Sequence, residues 1–333
     1  MARRAVVLMN LGGPDSPAAV RPFLFNLFSD PAIIRLPAAL RLPLGFVIAA
    51  RRAVTAREIY AQIGGASPLL ANTQAQARAL EAELGSGYRC FVAMRYWHPL
   101  TAAAVSQVKQ WAPDEIVLLP LYPQFSTTTT ASSLRVWERE AKRQGLASPT
   151  RSIRSYPAAP GFIAAMAASI GEALDAAVAD GAPARLLFSA HGLPLKIVKQ
   201  GDPYPQEVAT TAAAVLRALG RPGIDARVCY QSRVGPLAWL GPSVEQELRQ
   251  AGRDRVAVVI APISFVSEHS ETLVELDREY RRVAEDSGVA SYRRVPTVGA
   301  DSRFIAALAD LVRGAGASTE GAASPPALMQ TRS

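Results

Sequence analysis

The chain contains few cysteines and few histidines. Its 333 residues include two cysteines, Cys90 and Cys229, and three histidines. The cysteines lie far apart, each within an apolar run, so no Cys-x-x-Cys spacing is available for a zinc site or an iron–sulfur cluster. We therefore expect two buried free thiols in a reducing compartment.

Long apolar runs and nucleotide-binding loops are also missing. The longest apolar region, residues 36–50, is interrupted by an arginine and two prolines, and a membrane-spanning helix needs about 20 apolar residues. The apolar run at residues 5–9 is too short for the core of a signal peptide. Gly12-Gly13-Pro14 fits neither a dinucleotide-binding nor a Walker loop, and no G-x-S-x-G motif occurs. We expect a cytoplasmic protein, soluble or peripheral, and these absences disfavour a dinucleotide enzyme.

The net charge is moderately positive. Lys and Arg number 36 against 28 Asp and Glu, which gives +8. This excess could favour an acidic ligand or an anionic membrane surface. The basic residues are scattered and no nucleic-acid fold motif occurs, so nucleic acid is not an expected partner.

The order of apolar segments predicts an α/β protein with two similar doubly wound halves. Hydrophobic residues make up 49% and charged residues 19% of the chain, as in folded domains. Short apolar strands alternate with amphipathic helices, which indicates parallel sheets covered on both faces. We assign residues 1–155 to the first half, 156–314 to the second and 315–333, rich in Gly, Ala, Ser and Pro, to a disordered tail. Strands are predicted near 5–10, 88–95, 115–122, 150–156, 185–190, 226–231, 255–261 and 290–296. Helices are predicted at 17–28, 71–85, 101–111, 131–144, 161–179, 204–219, 243–251, 268–284 and 302–313.

Polar or aromatic residues follow six of the predicted strands. Asn10, His191 and Gln231 are examples, each directly after or at the end of an apolar run. Open α/β sheets bind ligands outside the carboxyl ends of their strands. The expected site is therefore a cleft between the two halves.

All three histidines lie at or just beyond a predicted strand end: His98, His191 and His269. A single histidine is more often a packed residue than a ligand, but three on the cleft side favour a functional site. His191 has the clearest case, because it ends a buried strand and is followed by Gly192, which leaves its ring accessible.

A row of glutamates follows His269. Glu268, Glu271, Glu275 and Glu279 share one face of the predicted helix. Arginines three positions further along would pair with Glu275 and Glu279, but Glu268 and Glu271 have no such partner on the helix. A bound cation or the imidazole of His191 would relieve the repulsion between them.

An imidazole with carboxylates suits a borderline divalent metal such as ferrous iron. A structural zinc site would need four ligands, and no H-E-x-x-H spacing indicates a zinc hydrolase. The few groups present favour transient handling of a metal over its storage. The apolar stretch at residues 24–46 contains three prolines, which we expect to prevent a long helix. It would form a lid or a membrane-facing lip beside a large flat ligand, with ordinary core packing as the alternative.

Nine segments, in order along the chain, resemble motifs of the ferrochelatase family, which inserts ferrous iron into porphyrins. They are LMNLGGP at 8–14, IGGASP at 63–68, MRYWHP at 94–99, LYPQFS at 121–126, SAHGLP at 189–194, GDPYP at 201–205, YQSRVGP at 230–236, WLGP at 239–242 and the run at 262–277. The likeness covers about residues 5–315.

The resemblance implies two Rossmann-like halves, chelatase-type, with the porphyrin in the cleft between them. It implies that His191 and Glu271 bind the incoming iron or accept pyrrole protons, with His269 and Glu268 supporting them. Glu275 and Glu279 would continue an acidic path to solvent. The porphyrin-binding residues are expected to be Leu11, Arg51, Arg52, Tyr60, Ser67, Tyr122 and Trp239, with Leu24, Leu27 and Phe28 in the hydrophobic lip.

The implied reaction is insertion of Fe²⁺ into protoporphyrin IX, which forms protohaem and releases two protons in haem biosynthesis. Porphyrin and ferrous iron are substrates, and no cofactor is expected to stay bound. The C-terminal tail has no cysteine and Thr127 stands where an upstream cluster cysteine would be, so we expect no [2Fe–2S] cluster. The alternatives are a coproporphyrin ferrochelatase, a cobalt chelatase acting on another tetrapyrrole and a non-catalytic porphyrin or haem carrier. The apolar lip and positive charge are compatible with peripheral contact at the inner face of a membrane.

Overall fold

Two four-stranded parallel sheets, one in each half, form the frame of the protein. The computed structural model describes residues 2–179, 181–233, 235 and 237–317. Within them the first sheet has the order β2-β1-β3-β4 and the second the order β6-β5-β7-β8. The strands are β1 (Arg4–Asn10), β2 (Tyr88–Met94), β3 (Glu115–Pro120), β4 (Thr150–Ser152), β5 (Ala184–His191), β6 (Asp225–Gln231), β7 (Ala257–Pro262) and β8 (Tyr292–Arg294).

The same strand order occurs twice, which confirms the predicted pair of doubly wound halves. In each half the first strand lies between the second and third, and all the pairings are parallel. β1 and β5 are buried on both faces because helices cover both sides of each sheet, and this explains their nearly continuous apolar sequences. Parallel pairing also brings the carboxyl ends of β5 and β6 together, with His191 opposite Gln231.

Eleven α-helices and one π-helix lie in the described residues. The α-helices are α1 (Val20–Phe28), α2 (Ala38–Ala61), α3 (Leu69–Leu84), α4 (Thr101–Trp111), α5 (Thr130–Gln144), α6 (Pro160–Ala179), α7 (Leu195–Lys199), α8 (Tyr204–Leu219), α9 (Val244–Asp254), α10 (Tyr280–Asp286) and α11 (Ser302–Ala317). The π-helix spans Glu271–Glu279, within the segment where an ordinary helix was predicted.

The long helix α2 contradicts the prediction that prolines would break this segment. Pro37 occupies the N-cap, where a proline is tolerated, but Pro43 lies inside the helix and removes one backbone hydrogen bond. Packing of α2 against α1 compensates: Gly45 faces the chain at Phe28 so closely that an added Cβ would lie 3.1 Å from the Phe28 carbonyl oxygen. Tertiary contact therefore outweighs the local preference here.

The two halves share one hydrophobic core. Its largest buried cluster includes Leu8 and Leu119 of the first sheet, Phe188 of the second, Ile170 of α6 and Leu308 of α11. α11 packs against both α6 and α3, so the last helix of the chain contacts the first half. The predicted boundary at residue 155 lies between β4 and α6 in the sequence, but the largest buried cluster contains residues from both sides of it.

Helix α6 is long and apolar enough to cross a bilayer by length and composition alone. Its Phe162, Ile170 and Leu174 are buried in the shared core, so we interpret it as a core helix.

The predicted tail begins inside the last helix. Residues 315–317 continue α11, and from residue 318 onward the tail lies outside the described residues.

The two cysteines, Cys90 and Cys229, are free thiols. Cys229 is buried and Cys90 is partly buried, and burial raises the pKa of the Cys90 thiol to about 12.

Candidate functional site

The structure brings His191 and Glu271 into direct contact. His191 ends the central strand β5, and Glu271 begins the π-helix that follows β7. The His191 Nδ1 atom lies 2.9 Å from Glu271 Oε2, and His269 Nε2 lies 3.6 Å from the same oxygen. One carboxylate therefore lies between two imidazoles, as the sequence predicted for His191 and Glu271.

The pair is electrostatically coupled. Burial alone would raise the pKa of the Glu271 carboxyl, but the neighbouring His191 and His269 hold that pKa well below its usual value. Burial likewise opposes the charged form of His191, yet Glu271 and Glu275 raise the His191 pKa above its usual value. The contact thus favours a carboxylate beside an imidazolium.

One edge of the His191 ring is exposed. Its side chain is 42% exposed although Nδ1 is occupied by Glu271. Among the described residues no hydrogen-bond partner reaches the other ring nitrogen, Nε2. This nitrogen is therefore available to a ligand in the cleft.

Glu275 lies one wide turn beyond Glu271 and is held by the end of β6. Its carboxylate accepts hydrogen bonds from the Ser232 backbone N–H at 2.7 Å, from the Ser232 hydroxyl, from Gln231 Nε2 at 3.1 Å and from the Tyr280 hydroxyl at 2.9 Å. Burial and the charge of Glu271 raise the Glu275 pKa, so Glu275 holds a proton more readily than Glu271.

Glu271 and Glu275 are four residues apart and share a side of the π-helix, as they would in an ordinary helix. The wider turn of the π-helix places the Tyr280 N–H on the carbonyl five residues earlier, that of Glu275, and such helices occur often at functional sites. Glu279 is exposed, and Arg278, the expected partner of Glu275, instead donates to the Gln62 carbonyl at 3.1 Å. The predicted pairing between Glu275 and Arg278 is therefore wrong.

Glu268 lies apart from the histidine pair. Its Oε1 accepts hydrogen bonds from Arg294 at 2.6 Å and from the Thr297 backbone N–H at 2.9 Å. Glu268 has no cationic partner on its own helix, as predicted, but it has one from β8. Burial opposes the charge, but Arg294 keeps the pKa of Glu268 below its usual value. Glu268 ties the segment before the π-helix to the edge of the second sheet.

Gln231 links strand β5 to the π-helix, and the sequence did not predict a role for it. Its Oε1 accepts from the Ser189 hydroxyl at 2.7 Å, and its Nε2 donates to the Glu271 carbonyl at 3.0 Å. Gln231 is fully buried. It therefore connects the strand that carries His191 with the helix that carries Glu271.

Two of the predicted porphyrin contacts, Tyr60 and Ser67, lie together opposite the π-helix. Gly13 leaves no room for a side chain between itself and Ser67, and an added Cβ would lie 3.8 Å from the Tyr60 hydroxyl. That hydroxyl faces Ser270 and Glu271, and burial is the main reason why the Tyr60 pKa rises to about 12. Tyr60 and Ser67 of the first half therefore lie near the start of the π-helix that carries Glu271.

The remaining predicted contacts are more dispersed. Arg51 and Arg52 are exposed on α2, where the Arg52 guanidinium lies 5.8 Å from the centre of the Phe28 ring. Leu11 is half-buried and packs against a hydrophobic cluster formed mainly by residues of α1 and α2, which we call the α1–α2 cluster. Trp239 packs close to Gly192, and its indole nitrogen is buried without a hydrogen bond in the described structure.

Tyr122 and His98 lie away from the His191–Glu271 pair. Burial raises the pKa of Tyr122, whose hydroxyl lies in the first half near Ser133 and Arg95. His98 is exposed, with its ring edge-on to Trp97 at 5.0 Å. Only two of the three histidines therefore join the cluster that the sequence predicted.

The exposed apolar side chains come from the second part of the stretch predicted to form a lip. Leu24 is buried, and Leu27 and Phe28 are partly buried in the α1–α2 cluster, so these three were wrongly assigned to the lip. The exposed side chains belong to the first turns of α2 and to the segment just before it, and we call this set the lip: Leu36, Leu40, Leu42, Leu44, Phe46 and Val47.

Asp30 fixes the base of the lip. Its Oδ2 accepts hydrogen bonds from Arg95 at 2.6 Å, from the Tyr96 hydroxyl at 2.7 Å and from the Ser132 hydroxyl, and its Oδ1 accepts from the Ala32 N–H at 2.8 Å. The Asp30 side chain is 1% exposed. These bonds outweigh burial and lower the pKa of Asp30.

We expect Asp30→Ala to destabilise the protein by about 3–5 kcal/mol, because it leaves a buried guanidinium and two hydroxyls without their acceptor. Urea unfolding would measure this. The matched control is Asp175→Ala, which breaks a bidentate pair with Arg221 whose aspartate side chain is 68% exposed; surface pairs contribute at most about 1 kcal/mol. Equal losses in the two variants would contradict the role assigned to Asp30.

Among the described residues no group of three or more His, Cys, Asp or Glu side chains is arranged to hold a metal ion. The site instead consists of the Glu271 carboxylate between the imidazoles of His191 and His269, with the His191 side chain partly exposed.

The amino-acid sequence is similar to known proteins of one family. The family model described as ferrochelatase matches residues 3–315. A ferrochelatase from Caulobacter vibrioides is 55% identical over 316 residues, covering 93% of this chain and 89% of its own length. A ferrochelatase from a Wolbachia of Drosophila simulans is 50% identical over 313 residues, covering 93% and 98%.

A solved structure has a similar fold at low sequence identity. The sirohydrochlorin chelatase SirB from Bacillus subtilis subspecies spizizenii, in complex with cobalt, superposes with a TM-score of 0.56 at 12% identity, covering 96% of this chain and 98% of its own. The likeness supports the chelatase-type fold.

Proposed function

The chain belongs to the ferrochelatase family, and on that premise we propose that it inserts Fe²⁺ into protoporphyrin IX, with His191 and Glu271 as the catalytic pair. It is a lyase of haem biosynthesis whose substrates are a porphyrin and ferrous iron. The observation that supports the roles of the pair is the 2.9 Å contact between His191 Nδ1 and Glu271 Oε2, which leaves Nε2 open to the cleft.

The reaction requires two protons to leave the centre of the porphyrin as iron enters. Glu271 accepts the hydrogen bond from Nδ1 and so leaves the lone pair of Nε2 free to take a pyrrole proton. The resulting imidazolium is stabilised by the adjacent carboxylate. The iron gains its four nitrogen ligands as the two N–H bonds break, and the protons pass from His191 to solvent.

Glu275 is the next acceptor along the π-helix. Its raised pKa suits a group that takes up and releases a proton, and Glu279, one turn further, is exposed to solvent. We therefore assign these two glutamates to the outward path of the protons.

The porphyrin would rest against the first half of the chain. Tyr60 and Ser67 lie across the cleft from the pair, and Arg51 and Arg52 supply positive charge on α2 for the propionates. Trp239 packs beside Gly192, the residue that follows His191 in the chain. At this position its indole can contact the flat porphyrin ring.

No resident cofactor enters this proposal. Thr127, which stands at the position of an upstream cluster cysteine in some relatives, donates hydrogen bonds to Asp202 from its N–H and its hydroxyl, each at 2.7 Å. This residue therefore supports a contact between the halves.

The test of the reaction is anaerobic insertion of ferrous iron, followed by absorbance, with protoporphyrin IX and coproporphyrin III in parallel. We expect turnover with a preference for protoporphyrin IX. Preference for coproporphyrin III would assign the other substrate. Tight porphyrin binding without turnover of either would instead indicate a carrier.

We also propose that the lip docks the cytoplasmic protein on the inner face of an anionic membrane. The exposed apolar side chains of the lip lie beside Arg35, Arg41, Arg51 and Arg52, which combine burial of apolar area with attraction to anionic headgroups.

Vesicle flotation at low salt tests the docking. Wild type is expected to float with vesicles rich in phosphatidylglycerol and to detach at high salt. Replacing Leu40 and Phe46 by serine should weaken binding at least about tenfold, because each buried apolar side chain contributes about 1.5–3 kcal/mol. Val178→Ser, at an equally exposed valine on α6, is the control. Absence of a lipid-bound wild-type fraction at low salt would refute the docking.

A further inference from the structure

A buried glutamine on α3 joins the two halves next to the catalytic segment. Gln76 belongs to the first half and is fully buried. Its Nε2 donates to the carbonyl oxygens of Val266 and Gly299, each at 2.8 Å, and its Oε1 accepts from the Ser267 hydroxyl at 3.0 Å. Both N–H bonds and the carbonyl of this amide are therefore used by residues of the second half.

The residues that Gln76 holds lead directly into the catalytic segment. Val266 and Ser267 precede His269 by three and two positions, and Glu271 follows two positions later. One helical turn before Gln76, Asn72 Nδ2 donates to the Glu268 carbonyl at 3.0 Å. Two amides on one face of α3 thus fix the backbone on both sides of Ser267.

The same helix is anchored to the wall of the cleft in the first half. Thr73, between the two amides in sequence, accepts a hydrogen bond from Asn10 Nδ2 at 3.0 Å and donates to the Leu69 carbonyl at 2.8 Å. Asn10 ends β1, and its Oδ1 accepts the N–H of Leu11 at 2.8 Å. Helix α3 is therefore hydrogen-bonded on one side to Asn10, next to the expected porphyrin contact Leu11, and on the other side to the segment that leads to Glu271.

We infer that Gln76, assisted by Asn72, is a positioning residue that sets the distance between the porphyrin-binding wall and the His191–Glu271 pair. This inference rests on the proposed function. A porphyrin held against the first half can lose its protons to His191 only if the second half holds the His191–Glu271 pair at the correct distance from the ring. An error of about 1 Å in that distance can lower the rate about a hundredfold. Gln76 touches no substrate, because it is fully buried behind the cleft.

The chain offers a matched control for this role. Gln124 is also a buried glutamine of the first half that donates both N–H bonds to the second half, to Thr211 Oγ1 at 2.8 Å and to the Ile263 carbonyl at 3.1 Å. Its partner Thr211 belongs to α8, and neither of its partners flanks His269. Gln124→Leu therefore removes a comparable contact between the halves without releasing the residues next to His269.

The experiment compares Gln76→Leu with Gln124→Leu in the full chain. It measures kcat for ferrous insertion, the porphyrin Kd from fluorescence quenching and the urea unfolding midpoint. We expect Gln76→Leu to lower kcat by about ten- to a hundredfold with a Kd within about twofold of wild type. Gln124→Leu should lower the midpoint by a similar amount while kcat stays within about threefold.

Several outcomes would overturn the inference. Equal loss of kcat in both variants would show that general cohesion of the halves matters, and a Gln76→Leu loss confined to porphyrin affinity would assign Gln76 to binding. If Gln76→Leu does not fold, Asn72→Ala removes only the bond to Glu268, and an unchanged kcat in that variant would refute positioning. Wild type without turnover would overturn the proposed function as well, whereas an active wild type with equal variants overturns this inference alone.

Discussion

Replacing His191 by alanine is expected to lower kcat for ferrous insertion by about 10²–10⁴, the usual range for a general base. The variant removes the only ring nitrogen of the His191–Glu271 pair that faces the cleft, and it leaves Glu271 without the partner 2.9 Å away. Porphyrin affinity should change by less than about tenfold, because the expected ring contacts in the first half are untouched.

Anaerobic insertion assays and fluorescence titration with porphyrin measure the two quantities separately. His98→Ala is the matched control, because His98 is an exposed histidine that does not join the pair, and its kcat should stay within about twofold of wild type. A His191→Ala variant with nearly wild-type kcat would show that another group accepts the pyrrole protons.

Replacing Glu271 by glutamine is expected to lower kcat by about 10²–10³ and to move the acidic limb of the pH profile. The amide keeps the size of the side chain but loses the charge that stabilises the imidazolium and attracts the metal. It can also donate to Nδ1, which favours the tautomer with its proton on Nε2 and blocks the base.

The direction of the pH shift follows from the His191 pKa. His191 acts as a base only when neutral, so kcat/KM rises with pH as the ring loses its proton. Against the lowering effect of burial, Glu271 and then Glu275 raise this pKa above its usual value in the wild type. Without the charge of Glu271 the pKa falls, and the acidic limb in Glu271→Gln should lie at lower pH than in wild type.

Stopped-flow or steady-state assays between about pH 5.5 and 9 would record the acidic limb. Glu285→Gln, which removes an exposed carboxylate from α10, is the control. An acidic limb that does not move would mean that His191 is not the titrating base. Unchanged kcat in Glu271→Gln would show that the Glu271 carboxylate is not needed for metal insertion.

Much of the frame could be predicted because it depends on local patterns. The two sheets follow from eight short apolar runs alternating with amphipathic helices, and the strand ends correctly located His191 and Gln231. Helix α2 could not be predicted in the same way, because Pro43 argues against it locally and only packing against α1 stabilises it. Leu24 was wrongly assigned to the lip for the same reason, since its burial depends on that contact.

The glutamates show where the limit lies within the site. Along the helix, Glu268 and Glu271 look equivalent, because neither has a cation three or four positions away. In the structure Glu271 contacts His191, which lies 80 residues earlier in the chain, and Glu268 contacts Arg294, 26 residues later. Helical spacing reports only neighbours within one turn, so it could not distinguish them.

The sequence by itself determined the fold class, the family and the identity of the His191–Glu271 pair, because these depend on apolar periodicity and on motifs that are contiguous along the chain. Only the tertiary structure decided which side chains complete the site: Gln231 and Ser232 as hydrogen-bond partners of Glu275, Arg294 as the partner of Glu268 and the amide of Gln76 that ties the halves together. Each of these depends on contacts between residues far apart in the chain, and their geometry is set by how the two sheets pack around a shared core.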